Sequence, residues 1–447
     1  MQDYKNFFKG KKITLMGLGL LGRGVGDAKF LAEQGAELIV TDLKPSTELG
    51  SSLKQLEVFS NITYRLGGHD LADFHERDFI LKAAGVPKDS PYIVEAIKNN
   101  IPVKMSASWF LEIAGIRSVG VTGTRGKSTV IMLLKSIMQA AGMEVLLGGN
   151  VRGVSTLALL PEAKHNSIAL MELDSWQLQG FGNEKMSPHV AVFTTFMPDH
   201  MNYYKNDLDV YLEDKAQIFL HQKPHDTLVV GVQAAEVITK AYGTRIQSHL
   251  VIADPAHFPT GWKIKLLGVH NLLNAICAIE AARALGIDEQ TIQKAVADFT
   301  AVPGRLEFLR VVNGVSFYND TNSTTPEATL AAFRAIPGSR AILIMGGADK
   351  ELDMEELVSF IPVYAKKVIL LAGSGTNRIV ASHPKLFGDL PIYEGLEDAL
   401  KAAMAETASG DLVLFSPAFA SFGMFKNEFD RGDQFVELVK KLDSHES

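Results

Sequence analysis

The sequence predicts an α/β chain built from three successive doubly wound units. Three observations carry this. Short apolar runs of strand length recur and alternate with segments of helical period. Two of these runs lead into glycine-rich turns that open a helix, "GLGLLG" and "GVTGTRGKST". The length, 447 residues, exceeds what one domain usually holds.

The first unit opens on "KKITLMGLGLLGRGVGDAKFLAEQGAELIVTDLK". Residues 13–16 form an apolar strand, Ala28 to Gln34 is helix-like, and "AELIVTD" is a strand that ends at Asp42. A second strand–helix unit follows around "RDFILKAAGVP", and "IPVKM" gives another short strand. This domain is expected to span 1–105.

The central unit, expected over 106–306, starts at "IRSVGVTGTRGKSTVIMLLKSIMQAAGMEVLLGGN". A strand enters the glycine loop, a helix follows, then another strand. "SIALMELDSW" and "HVAVFTTFMPDH" read as buried strands with polar residues at their carboxyl ends, where open α/β sheets bind ligands. "GVHNLLNAICAIEAARALGI" reads as a helix. The third unit, expected over 307–447, carries "GVSFYNDT", "RAILIMGGADK", "KKVILLAGSG" and "DLVLFSPAFA", each an apolar strand before a small-residue turn. The closing "KLDSHES" is expected to fray.

Composition sets the class. Hydrophobic residues make up 47% and charged residues 21%, a balance that allows sizeable cores. The net charge of −7 gives no nucleic-acid footprint. A single cysteine, Cys277, excludes an intramolecular disulfide framework and fits a reducing compartment. It sits among Ile276, Ala278 and Ile279, as a core residue would. No stretch is long and apolar enough to span a bilayer. The basic start lacks a signal-peptide cleavage pattern. The expectation is a cytoplasmic monomer with small-molecule partners, and with no membrane or nucleic-acid partner.

The second glycine loop carries the most chemistry. Successive backbone N–H groups at a helix N-terminus cradle anions. Lys127 can reach terminal phosphates, and Ser128 or Thr129 can offer a hydroxyl to Mg²⁺. The Walker spacing is not met, because the required glycine falls on Val121 with Gly120 and Gly123 on either side. The first loop, Gly17-Gly19-Gly22 with Asp42 further on, fits a dinucleotide and equally any diphosphate. Glu172 with Asp174, and Asp199 with His200, lie at strand ends and can hold Mg²⁺ or merely cap helices. Lys215 shares a helical stripe with Leu208, Tyr211 and Ile218, which reads as a snorkelling lysine or as one held near the site. His270, Asn271 and Asn274 open a helix, for capping or for a purine.

Together and in this order, "GVTGTRGKST", "GVHNLLNA", "YNDT", "MGGADK" and "SPAFASFGMFKNEFDRGDQF" resemble the Mur ligases of peptidoglycan synthesis, and among them the D-glutamate-adding branch. The family loop has the form G-x-T-G-T-x-G-K-[ST], which Gly120 to Ser128 matches. The resemblance implies a Rossmann-like N-terminal domain for a UDP substrate, a central P-loop ATPase-type domain, and a Rossmann-like C-terminal domain for the amino acid. It implies ATP and Mg²⁺, and the substrates UDP-N-acetylmuramoyl-L-alanine and D-glutamate joined through an acyl phosphate. By motif position, ATP meets Gly123, Thr124, Arg125, Gly126, Lys127, Ser128, Thr129, Asn271, Arg305 and Asp320. Mg²⁺ is held by Ser128, Glu172, His200 and Lys215, the last as a carbamate. Lys127, Lys215, His200 and Glu172 form the catalytic set. The UDP substrate meets Gly19, Leu20, Leu21, Asp42, Leu43, Gly85, Asn150 and His200, and glutamate meets Thr324, Lys350, Ser421 and Phe429.

Departures cluster on the amino-acid side. Asn322 stands where the family commonly has lysine, Glu428 where it has phenylalanine, and Phe419 where it has cysteine. Asn202 and Gly304 also differ, and Arg125 replaces the usual asparagine. L-glutamate or another acidic acceptor therefore stays open. So do another ligase of the superfamily, a nicotinamide oxidoreductase built on the first loop, and a nucleotide-dependent switch without ligase activity.

Overall fold

The computed structural model describes residues 2–20, 22–336 and 341–442. It is a mixed α/β chain with three sheets. The first sheet contains β1 (Lys12–Met16), β2 (Glu37–Asp42), β3 (Ile62–Leu66), β4 (Phe79–Lys82) and β5 (Val103–Lys104), in the order β3-β2-β1-β4-β5. All its pairings are parallel. Parallel strands need crossovers, which put helices on the faces, so the central strands β1 and β2 are buried along most of their length. The helix Arg23–Glu33 buries Ala28 and Leu31 against Leu15 and Val40.

The second sheet contains β6 (Arg117–Thr122), β7 (Val145–Gly149), β8 (Ile168–Glu172), β9 (Val190–Phe193), β10 (Thr227–Gly231) and β11 (His249–Ala253). Its order is β11-β10-β9-β6-β8-β7, all parallel. The chain winds one way from β6 through β7 and β8, then crosses β6 to start β9. That makes the carboxyl end of β6 a topological switch point, where such sheets bind ligands. In the first sheet β1 and β4 form the equivalent point.

The third sheet contains β12 (Glu307–Val312), β13 (Val315–Asn319), β14 (Ala341–Gly346), β15 (Ala365–Leu371), β16 (Ile392–Tyr393) and β17 (Leu412–Phe415). Its order is β12-β13-β17-β14-β15-β16, with only the β12–β13 pair antiparallel. Its two faces bury separate clusters, around Leu343 and Leu414 on one side and Ile344 and Val413 on the other.

The chain packs as two compact units. One holds the chain up to Lys263 together with Leu273–Ala297, and the other holds Ile264–Leu272 and the chain from Asp298 on. The first two sheets share a unit because one apolar cluster runs through both, from Leu15 and Trp109 to Ala169 and Phe193. Polar bridges add to it. Lys104 pairs with Glu112 and Glu184, and Lys88 with Asp214.

Two local expectations are corrected. The first helix begins at Arg23 rather than near Ala28, because Gly22 turns left-handed (φ +83°) and starts the helical turn earlier. The stripe containing Lys215 is broken, since its helix is Leu208–Ala216, Leu208 is exposed, and Ile218 lies past the helix end. The tail expected to fray lies mostly in 443–447, outside the described residues. Among the described residues no helix is long and apolar enough to cross a membrane.

Candidate functional site

The loop after β6 is shaped by what surrounds it. Gly123 has φ +138°, and a Cβ there would meet Thr194 Oγ1 at 2.0 Å. Gly126 has φ +91°, and its Cβ would stand 2.2 Å from Asn274 Oδ1. Both positions demand glycine, for conformation and for space. The loop is then tied to the end of β9. Thr124 N donates to Thr195 O at 2.8 Å, and Arg125 N to Thr195 Oγ1 at 2.9 Å. Gly126 ends the loop and the helix Lys127–Ala140 begins, with no side chain capping its start. Ser128 and Thr129 lie in that first turn. The result is a rigid loop before an uncapped helix N-terminus, which suits an anion.

Lys127 folds back over this loop, its Nζ 2.9 Å from Gly123 O and 3.2 Å from Thr124 O. Behind the loop stands Lys215. It is 1% exposed, with Nζ 3.0 Å from Gly123 O and 3.4 Å from Thr122 Oγ1, above the Tyr211 ring. It does not reach water, so the snorkelling alternative fails. Burial, and then the charge of Lys127, push its amine well below the ordinary lysine range. The shift favours the free amine, which is a nucleophile rather than a point charge.

Glu172 closes β8 and is buried. Asp174 caps the next helix, Ser175–Asn183, in a reciprocal capping box with Gln177. The bland reading therefore holds for Asp174. His200 takes a left-handed backbone (φ +56°) and lies against the Trp176 ring, centroids 4.8 Å apart. Burial lowers its pKa against the pull of Asp199, which favours the neutral imidazole. Asp199 in turn pairs with Arg125 at 3.0 Å. The residue that departs from the family loop thus holds the segment carrying His200. Among the described residues no three His, Cys, Asp or Glu side chains cluster as a metal site.

A separate cavity of about 220 Å³ opens at the β1–β4 switch point. Gly19, Leu20 and Gly85 line it, together with Arg23, Asp27, Lys82 and Gln177. Asp42 Oδ2 accepts from Gly19 N at 2.9 Å and its Oδ1 from Lys44 N, so this acid braces the loop. Leu43 is exposed beside it. Asn150 Oδ1 accepts from Arg23 Nη1 at 2.6 Å. Leu21 lies outside the described residues.

The remaining expected residues belong to the second unit. Asn271 Nδ2 donates to Leu267 O at 2.7 Å. Asp320 is buried, accepts from Ser323, Ser416 and Leu306 N, and is pushed up to about 6 by burial against the field of Arg305. Thr324 Oγ1 and Lys350 Nζ are 2.9 Å apart. The loop bearing Lys350 pairs with the loop bearing Ser421 through an Ala348–Ala420 bridge. Phe429 N donates to Asn427 Oδ1 at the start of the helix Glu428–Lys440. Asn322 spends its amide on Pro303 O at 3.2 Å.

Sequence reasoning missed several participants. Arg431 is fully buried and donates to Thr321 Oγ1, Thr321 O and Phe419 O, pinning the loops around Ser421. Thr194 and Thr195 shape the phosphate loop, and Arg23 lies in the first cavity. The "TT" after an apolar strand was the available signal for the threonines. For Arg431 the signal was its place in "FDRGDQF", the end of a motif quoted above without a role for the arginine.

Comparisons with known proteins agree over nearly the whole chain. Three family models match: the Mur ligase MurD-like N-terminal domain over residues 11–105, the Mur ligase middle domain over 121–251, and the Mur ligase glutamate ligase domain over 304–419. A UDP-N-acetylmuramoylalanine--D-glutamate ligase of Roseiflexus sp. (strain RS-1) is 33% identical, covering 97% of this chain and 99% of its own. One from Borreliella burgdorferi (strain B31) is 35% identical, with 97% and 98% covered. Among solved structures, the UDP-N-acetylmuramate-alanine ligase MurC from Thermotoga maritima superposes with a TM-score of 0.61 at 19% identity, covering 96% of this chain and 99% of that one.

Proposed function

The chain belongs to the Mur ligase family, and from that premise we propose that it joins D-glutamate to UDP-N-acetylmuramoyl-L-alanine at the expense of ATP. The observation that carries the reading is the phosphate loop at the β6 switch point, with Lys127 on it and Lys215 buried behind it, 3.0 Å from Gly123 O. The full-length identity to D-glutamate ligases supports the substrate pair.

The reaction follows from the chemistry of the groups. A carboxylate oxygen of the alanine attacks the γ-phosphorus of ATP, the bond to ADP breaks, and an acyl phosphate forms. The glutamate amine then attacks the acyl carbon, loses a proton, and phosphate leaves from the tetrahedral intermediate. Phosphoryl transfer needs positioning and charge neutralisation more than covalent help. The loop amides from Gly123 to Gly126 and the helix start at Lys127, Ser128 and Thr129 bind the phosphates in this reading. Lys127 neutralises charge on the transferred group. Asn271, Arg305 and Asp320 serve the rest of the nucleotide.

A Mg²⁺ fits the donor chemistry, since a hard cation takes a carboxylate, a hydroxyl and phosphate oxygens rather than a full protein cage. Ser128, Glu172 and His200 would hold it, with Lys215 as a carbamate, and it would neutralise phosphate charge there. The burial of Lys215, which lowers its pKa, supports that modification, because only a free amine adds CO₂. Gly19, Leu20, Asp42, Leu43, Gly85, Asn150 and His200 serve the UDP substrate, and Thr324, Lys350, Ser421 and Phe429 the incoming amino acid. The single cysteine, fully buried, suits the cytoplasm.

The second reading is L-glutamate as acceptor: Asn322, its amide engaged with Pro303, brings no cation to the amino-acid side and leaves the D-glutamate assignment without that support. The test is mass spectrometry of the amide product from ATP, Mg²⁺ and the UDP substrate with each enantiomer. A D-glutamate adduct supports the reading. An adduct with L-glutamate alone changes the substrate and keeps the chemistry, while no adduct with either sinks the ligase assignment.

A further inference from the structure

The cavity at the first switch point holds two cations that the reaction above leaves unused. Arg23 is the first residue of the helix Arg23–Glu33, directly after left-handed Gly22, and no side chain caps that helix start. Its guanidinium makes one hydrogen bond, to Asn150 Oδ1, and no ion pair among the described residues. The carboxylate one turn on, Asp27, accepts from Ser106 and Ser155 instead. An arginine fork with most of its donors unspent, facing a cavity at an uncapped helix start, is built for phosphate oxygens.

Lys82 is the second, independent observation. It ends β4, in register with Met16 and beside the first glycine of the loop. It lines the same cavity, yet it is only 3% exposed. Its ammonium makes a single hydrogen bond, to Val86 O at 2.9 Å, and no ion pair among the described residues. Asp174 and Asp214, which form no ion pair with it, offset that buried charge only in part, and an anionic ligand would offset it further. Asp27 is the one carboxylate among the residues lining this cavity.

We propose that Arg23 binds the diphosphate of the nucleotide substrate, its guanidinium clamping phosphate oxygens against the helix start while Lys82 adds charge from the cavity floor. The inference rests on the reading that the UDP substrate occupies this cavity. Asn150, already tied to Arg23, is drawn to the same group. Sequence pattern alone hides this role, because the dinucleotide fingerprint draws attention to glycines and not to the residue after them.

Calorimetry on the full chain tests it with UDP, UMP and uridine, for the wild type, Arg23→Gln and Arg23→Lys. Loss of a charge-assisted pair weakens UDP about 10- to 100-fold in Arg23→Gln. UMP should lose less and uridine nothing, with Arg23→Lys intermediate. The KM for the nucleotide substrate should rise in the same order. Unchanged UDP affinity would overturn the inference. So would a parallel loss for uridine, which would make Arg23 only a brace for Asn150. A wild type that ignores UDP would overturn the cavity assignment itself. Should Arg23→Gln fail to fold, the graded response of Arg23→Lys decides alone.

Discussion

Replacing Lys215 by methionine separates a catalytic lysine from a structural one. The substitution keeps a stem of similar length and removes the amine that lies above the Tyr211 ring. Two hydrogen bonds and the contact with the Tyr211 ring are lost, and of the hydrogen bonds only that to Gly123 O at 3.0 Å is short enough to count fully. That loss costs about 1 kcal/mol. Against it stand two gains. Burial disfavours the ammonium form in the wild type, which costs it stability. The variant also removes the repulsion from Lys127. Stability should therefore hold or rise near neutral pH. Because the folded amine binds its proton less tightly, the wild type gains stability as pH climbs towards the ordinary lysine range. The variant's advantage should shrink over that interval. Turnover behaves oppositely, falling about 10²- to 10³-fold or more, as when a preorganised group is removed from developing charge. Urea unfolding across pH and phosphate release from ATP measure the two. Near-normal turnover would refute the role, and destabilisation of about 3 kcal/mol would show that the amine is a structural strut. Lys215→Ala should be equally impaired and partly rescued by short carboxylates.

Other expectations follow from single residues. Lys127→Met should lower turnover about 10²- to 10³-fold or more while the loop amides still bind nucleotide, checked by phosphate release and by equilibrium binding of ADP. Gly126→Ala forces a Cβ onto Asn274 Oδ1 at a left-handed position, so it should cost about 1–3 kcal/mol in urea unfolding and damage nucleotide binding. Asp27 is pushed up to about 6 by burial, so the folded state holds its proton more tightly than the unfolded chain. Its contribution to stability is full below about pH 4 and is lost as pH rises to about 6. Asp27→Asn keeps an acceptor for both serines, and its stability gain over the wild type should grow across that interval and then level off.

The glycine loops were legible because their chemistry is local. A strand, a turn that only glycine can make, and a helix are written in consecutive residues. The strands β1, β6, β8 and β14 were equally plain, each holding an apolar stretch that is buried. The edge strands β3 and β12 were not. They are half-exposed, and "ITYRL" and "EFLRVV" carry polar residues that read as loop. Lys215 was ambiguous for a different reason. A lysine on an apolar face either snorkels or is held, and only its distance from Gly123 decides. Arg431 was given no role because its contacts with Thr321 lie 110 residues away, a separation that no local spacing announces.

The measurement closest to the central claim is oxygen transfer. The UDP substrate is labelled with ¹⁸O in its alanine carboxyl and turned over with ATP, Mg²⁺ and D-glutamate. An acyl phosphate requires that one labelled oxygen leave in the released phosphate. The account predicts that label, together with phosphate release that depends on the amino acid. Unlabelled phosphate, or release at the same rate without an acceptor, would contradict it.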